Sequence, residues 1–168
     1  MLILGSIQQL LVTCAMTTSW GQFEVPQLRS AESTVVRSAT GNIELTMSMT
    51  PIDLHPDGPE LAYEIDYRNV SDIRIVDLTI QNTIPESTQF RVGSTTAGKP
   101  PESISSVRLL YSADGGTTWD YQPVSGGGGA PANYDANVTH VRFMMTGNLM
   151  PGVASAHGVG FSVRATTH

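Results

Sequence analysis

Three residues with metal-binding side chains lie within one short stretch, Asp-Leu-His-Pro-Asp-Gly-Pro. Asp53, His55 and Asp57 alternate along it, and their carboxylate and imidazole groups are ligands that divalent cations accept. The alternative is a proline-rich turn whose aspartates accept hydrogen bonds from backbone amides. The stretch is therefore a candidate metal site, although a purely structural turn is the favoured interpretation.

A second acidic candidate, Asp114, precedes Gly115 and Gly116 between two strand-like segments. A carboxylate beside two glycines can contribute to a calcium site, yet Asp-Gly is also a strong hairpin signal, because such turns need positive φ angles. Neither an EF-hand loop nor an aspartate-glycine calcium repeat occurs in the sequence. Calcium is thus the one cofactor that the sequence suggests, against the alternative of a plain turn.

Aromatic side chains flank a glycine-rich gap in the second half of the chain. Trp119 and Tyr121 precede the segment Ser-Gly-Gly-Gly-Gly-Ala-Pro, which we interpret as a flexible loop, and Tyr134 follows it. Exposed aromatic rings are groups against which sugars stack, so these three residues are the candidate ligand-binding set. The alternative is that Trp119 packs inward as a core residue, since Trp is usually buried.

No motif in the chain places a catalytic nucleophile. The sequence has neither a Gly-x-Ser-x-Gly elbow nor a His-Glu-x-x-His zinc motif. His140 and His157 have no partners at ligand spacing, whereas a zinc site needs three or four clustered donors. We therefore predict no enzymatic activity and assign no catalytic residue.

The elements that must position these residues are β-strands. Period-two alternation of apolar residues, the signature of a half-buried strand, marks the segments 43–49, 61–67, 73–80, 88–93, 107–111, 141–145 and 159–163. A β-bulge near Ile75 and Val76 would bring the apolar residues of the third segment onto one face. Three prolines between 50 and 60 predict a loop that stops the first strand, and Pro151-Gly152 predicts a turn that joins the last two strands into a hairpin. These features predict an all-β, immunoglobulin-like antiparallel β-sandwich of about seven to nine strands over residues 42–168.

The N-terminus resembles a secretory leader. Residues 1–21 contain an apolar run too short and polar to span a bilayer, and small residues precede a cut before Gln22. No Lys or Arg precedes the run, so a first strand or a disordered tail remains an alternative, and a lipidated Cys14 is another. After cleavage the chain would have no cysteine or disulfide and no transmembrane segment. Residues 22–41 are predicted to form a linker and an edge strand around Val35.

Composition and net charge limit the classes of partner that the protein can bind. The 168 residues suffice for one well-buried core, and only 14% of them are charged, which leaves a surface rich in hydroxyl groups. A net charge of -6 and a pI near 5.0 argue against nucleic acid and anionic membranes, which both require a basic patch.

Four stretches carry a resemblance to a known family: Tyr63–Phe90, the Val-Gly-Ser-Thr-Thr-Ala-Gly that follows Arg91, Leu109–Trp119 and Val138–Arg164. In order, they resemble the bacterial and archaeal surface-protein conserved-repeat family, a domain of unknown function related to the large cysteine-rich outer-membrane protein of chlamydiae. The resemblance implies an exported sandwich, usually repeated in tandem within prokaryotic envelope proteins. This sequence departs from that pattern, because it shows one copy and no sorting motif or stalk.

The sequence therefore leads us to expect an exported, non-enzymatic structural or interaction module, located in the periplasm, in the cell envelope or outside the cell. The expected partner is an unidentified envelope protein or glycan. Two alternatives stay open. One is a carbohydrate- or calcium-dependent adhesion module that uses the loop aromatics, and the other is a subunit that assembles through its sheet edges.

Overall fold

The protein is all-β, as predicted. The structure, a computed structural model, describes residues 11–14, 30–38, 41–55 and 58–166. It contains β1 (Leu11–Cys14), β2 (Ser30–Ser38), β3 (Gly41–His55), β4 (Gly58–Asn69), β5 (Ile75–Val76), β6 (Thr79–Thr83), β7 (Thr88–Arg91), β8 (Ile104–Ser112), β9 (Tyr134–Asp135), β10 (His140–Leu149) and β11 (Val159–Ala165). Over these residues no helix is long and apolar enough to cross a membrane.

Two sheets form a sandwich around one core. In the five-stranded sheet β1 pairs with β6, β6 with β10, and β10 with β5, while β8 pairs with β10 as well; the six-stranded sheet has the order β2-β3-β4-β11-β7-β9. Every pairing is antiparallel except that of β1 with β6. The predicted antiparallel sandwich is confirmed. Among the eleven strands of the described residues, β5 and β9 contain only two residues each.

The chain changes sheet at almost every connection after β4. The chain crosses the sandwich from β4 to β5 and then at each step from β6 through β7, β8, β9 and β10 to β11; after β4, only β5 and β6 follow each other in the same sheet. The last strand thereby lies between β4 and β7. Such repeated crossing is the connectivity of a jelly roll, in which Greek keys wind two packed sheets.

The core is lined by the alternating residues that the sequence marks. On β10, Val141 and Phe143 are buried, and on β11, Val159 and Phe161 are buried, with Phe161 stacked on Tyr63 at 5.2 Å between ring centroids. The predicted hairpin of these two strands is wrong. β10 pairs with β6 and β8, whereas β11 pairs with β4 and β7. The Pro-Gly turn carries the chain across the sandwich, so the two apolar faces meet through the core.

The predicted loop between residues 50 and 60 is also wrong for most of its length. β3 continues to His55 and β4 begins at Gly58, with a register shift between Pro51 and Asp53. Pro51 is tolerated because β2 pairs with β3 only as far as Met49. Beyond that point the described residues pair with only one side of β3, and proline is tolerated in a strand where its missing N–H faces an edge.

The irregularity in the third predicted strand lies at Asp77, next to the expected position. Asp77 has a φ of 51° and separates β5 from β6, and its Oδ1 accepts a 3.0 Å hydrogen bond from the Gly147 amide. Ile75, Leu78 and Ile80 reach the core. Ile73 does not, because it precedes the paired part of the strand and remains 47% exposed.

The two N-terminal strands lie in the segments that the sequence predicts to be a leader and a linker. β2 lies at an edge of the six-stranded sheet, where an edge strand is expected from the sequence. β1 falls within the predicted leader and occupies the outer side of β6. Cleavage before Gln22 therefore stays a prediction, and it would expose the edge of β6.

Candidate functional site

Trp119 lies on the outer face of the five-stranded sheet and not in the core. Val141 and Phe143 of β10 point inward, so His140 and Arg142 between them point outward. The Arg142 guanidinium stacks on the Trp119 ring, with its Cζ 3.6 Å from the ring centroid. Trp119 is half-buried by this contact. The structure thus gives Trp119 the surface position that the ligand-binding hypothesis requires.

The polar groups around Trp119 are held by neighbouring strands. Arg142 Nη2 donates a 2.9 Å hydrogen bond to Gln81 Oε1, and burial lowers the pKa of Arg142. The His140 ring meets Trp119 edge-on, with 6.2 Å between centroids, while its Nε2 lies 3.1 Å from Thr83 Oγ1. Burial first, and then the charge of Arg142, lower the pKa of His140 and so favour the neutral imidazole. A ligand at this face would meet an indole, a neutral imidazole and an amide.

Asp114 organises the turn that carries the chain to Trp119. Its carboxylate accepts hydrogen bonds from Ser112 Oγ (2.7 Å), the amides of Thr117 (3.1 Å) and Thr118 (2.9 Å), and Thr118 Oγ1 (2.8 Å). These bonds, chiefly that of the Thr118 amide, lower the pKa of Asp114 to about 2. The carboxylate is already committed to the turn, which is the structural alternative to a calcium ligand.

The glycine-rich segment, which the sequence predicts to be a flexible loop, is folded around a second carboxylate. Asp135 is fully buried, and its Oδ2 accepts hydrogen bonds from Tyr121 Oη (2.8 Å) and the Val124 amide (2.7 Å). Its Oδ1 accepts from the Asn137 amide (2.9 Å). A Cβ at Gly127 would lie 2.3 Å from that oxygen, so any larger residue there would displace the carboxylate.

Tyr134 belongs to a third environment. Its hydroxyl donates a 2.8 Å hydrogen bond to Glu60 Oε2, and Arg91 forms an ion pair with the same carboxylate. Arg164 lies 5.5 Å above the Tyr134 ring. Because Glu60 and Arg164 belong to the six-stranded sheet, Tyr134 does not share a surface with Trp119. The three candidate aromatics therefore form no single platform.

The candidate metal residues are only partly described. Asp53 is exposed on β3, opposite Glu60 of β4. His55 ends β3, but its side chain lies outside the described part of the structure, as does all of Asp57. Among the residues that are described, no three His, Cys, Asp or Glu side chains form a group that could hold a metal ion. The site proposed around Asp57 stays a prediction.

Sequence reasoning missed Asp135, Arg142 and Gln81. Arg142 could have been found from strand parity, because it lies two residues from the outward-facing His140. Gln81 has the same outward parity on β6 and lies opposite Arg142. Asp135 carries only a weak local signal, because two of its donors, Tyr121 and Val124, lie on the other side of the glycine-rich segment and only Asn137 is a sequence neighbour.

In comparisons with known proteins, no family model matches the chain, and no curated protein or solved structure matches it. What is established is the two-sheet, all-β fold.

Proposed function

We propose that the protein is a non-enzymatic interaction module that is exported to the cell envelope or surface. The observation that carries the proposal is the structural use of three carboxylates, two of which hold loops. Asp114, Asp135 and Glu60 each accept hydrogen bonds or an ion pair from groups that they hold in place. Polar residues that fix loops on a rigid sandwich are typical of recognition modules. A general acid or base instead needs a carboxylate that can reach substrate.

Export is supported by the leader-like segment before Gln22 and by the hydroxyl-rich composition. The resemblance to the bacterial and archaeal surface-protein conserved-repeat family supports it as well, and membership of that family is part of the proposal.

Fractionation tests export directly. The full chain with a C-terminal tag, expressed in a Gram-negative host, should appear outside the cytoplasm, and mass spectrometry should find Gln22 at its N-terminus. A matched variant that lacks residues 2–21 should stay in the cytoplasm. Retention of the full-length chain in the cytoplasm with Met1–Gly21 intact would overturn the proposal.

A second candidate function is glycan binding at Trp119, either in the envelope or on a surface outside it. It is favoured by the outward position of Trp119, half-exposed on the sheet and braced from beneath by Arg142. Bracing reduces the entropy lost when a sugar stacks on the ring. Gln81 and His140 supply hydrogen-bonding groups beside it.

The test is binding to a glycan panel with and without calcium, followed by titration calorimetry of any hit. Trp119→Ala should weaken binding by about tenfold or more, which is ~1.4 kcal/mol, while the circular dichroism melt stays cooperative. Val124→Ala is the matched control, because Val124 is an exposed apolar residue of the neighbouring loop. Undiminished binding by the Trp119 variant, or no glycan retained by the native protein, would refute this second function.

A further inference from the structure

One flank of the sandwich is open along β8. On one side β8 pairs with β10 from Ile104 to Ser112. On its other side the described residues supply only a single bridge, between Tyr111 and Tyr121. The hydrogen-bonding groups of a strand alternate between its two sides, so about half of those between Ser105 and Leu110 have no strand partner in the described part of the chain.

The core is incompletely covered at the same place. Val107 and Leu109 of β8 face inward beside Met145 and Phe143 of β10, yet both are only partly buried. On the other side of β10, Ile80 of β6 is fully buried in the equivalent position. The difference lies in the missing neighbour, because β1 pairs along the outer side of β6, whereas the described residues pair with the outer side of β8 only at Tyr111.

The residues of this edge do little to block strand addition. Natural edge strands are protected by proline, by charges or by being very short. β8 has nine residues, no proline or glycine, and one charged side chain, Arg108. At the corresponding end of the six-stranded sheet, β9 has only two residues.

The edge is also complementary to itself. In antiparallel pairing about a two-fold axis at Val107, Val107 lies opposite its copy, Ser106 opposite Arg108, and Ser105 opposite Leu109. Residues of equal parity face each other, so the two core-facing sides stay on one face of the joined sheet. The two arginines face serines and not each other, which avoids like charges in direct opposition. Two copies that each carry a net charge of -6 repel each other over most of their surfaces, but this edge presents no carboxylate.

We infer that two copies of the chain assemble by antiparallel pairing of their β8 strands about Val107. The pairing joins two five-stranded sheets, supplies partners for the open backbone groups and covers Val107 and Leu109. A single strand pair buries little area, so the dimer is weak and depends on concentration. This inference goes beyond export and glycan binding and does not depend on either of them.

Charge substitutions at Ser106 provide the test, because Ser106 is exposed and lies on the outer face of the sheet. Ser106→Arg places an arginine opposite Arg108 at two symmetric positions, and Ser106→Glu places a carboxylate there. In sedimentation velocity of the full chain, from micromolar to near-millimolar concentration, the native protein should dimerise. We expect Ser106→Arg to weaken the dimer at least about threefold and Ser106→Glu to tighten it by a similar factor. Thr50→Arg is the control, because Thr50 is exposed on the other sheet.

Cross-linking tests the register independently. In a Cys14→Ser background, Val107→Cys should give a disulfide-linked dimer under mild oxidation, because directly opposite residues lie within disulfide distance. Ser105→Cys should not, since its copy would lie four residues away, roughly 13 Å. A native protein that stays monomeric at every concentration, or equal dimerisation of both Ser106 variants, overturns the inference. Export and glycan binding would be unaffected by that result.

Discussion

Two aspartates hold neighbouring parts of the chain in opposite surroundings. Asp114 holds the turn before Trp119, and Asp135 holds the glycine-rich segment. Asp114 is exposed and accepts its hydrogen bonds mainly from the next few residues of its own turn. Asp135 is fully buried and accepts from Tyr121, Val124 and Asn137, which reach it from both sides of the glycine-rich segment.

This difference separates local order from tertiary order. Loss of Asp114 leaves donors that water can reach, so the turn is weakened without stranding a buried group. Loss of Asp135 removes a fully buried acceptor that ties together residues on both sides of the glycine-rich segment, and a hydrogen bond to a charged group contributes about 1.5–3 kcal/mol. The glycine-rich loop should therefore be coupled to the stability of the whole sandwich, whereas the Asp114 turn should not.

The largest expected effect is that of Asp135→Ala. We expect the free energy of unfolding to fall by about 3 kcal/mol, because the part-buried hydrogen bonds from Tyr121 and Val124 to the buried carboxylate are lost together. Urea denaturation checks this, with Asp120→Ala, an exposed position on the same connection, as the control. Equal losses for the two variants would show that the Asp135 carboxylate contributes no more to stability than the exposed Asp120.

Gly127→Ala should destabilise next most. The added Cβ would lie 2.3 Å from Asp135 Oδ1, so the carboxylate must move and its bonds weaken, at a cost of about 2 kcal/mol. Gly129→Ala is the matched control. It has open space but a φ of 80°, and it should cost only the left-handed strain of about 1 kcal/mol. Thermal melts of the two variants separate steric collision from backbone strain.

The contribution of Asp114 to stability should be lost in acid. Its pKa of about 2 in the folded protein lies below the unfolded value of about 3.9. The unfolded chain therefore takes up the proton first, and the stabilisation, fully present above pH 4, is lost as the pH falls towards 2. The difference in melting temperature between the native protein and Asp114→Ala should be constant near neutrality and vanish near pH 2. A difference that persists at pH 2 would assign the effect to something other than the charge.

The smallest effect concerns His140, near the Asp114 turn. Its pKa should lie below the ordinary value of about 6.5, because burial and Arg142 disfavour the imidazolium. Asp114 opposes this shift, so Asp114→Asn should lower the pKa of His140 further and Arg142→Gln should raise it. NMR titration of the imidazole resonances measures both changes, and shifts of the reverse sign would show that the three groups are not coupled as the geometry requires.

The sequence alone determined which residues face the core. Alternation of apolar and polar residues located the main strands, and the inward positions of β4, β8, β10 and β11 are those with the expected parity. That information is local, because the side chains of a strand alternate between its two faces whatever strand lies beside it. The fold class follows from it, as does the outward direction of Arg142 beside His140.

Tertiary structure decided which strands are neighbours and what the loops do. The alternation of apolar and polar residues predicts that β10 and β11 each have an apolar face. It does not predict that they lie in different sheets, because two strands joined in a hairpin and two strands joined across a sandwich show the same alternation. The surface position of Trp119 depends on Arg142 of a distant strand, and the order of the glycine-rich loop depends on the burial of Asp135. A burial imposed by remote parts of the chain, and hydrogen bonds that span the glycine-rich segment, leave no mark in the local sequence.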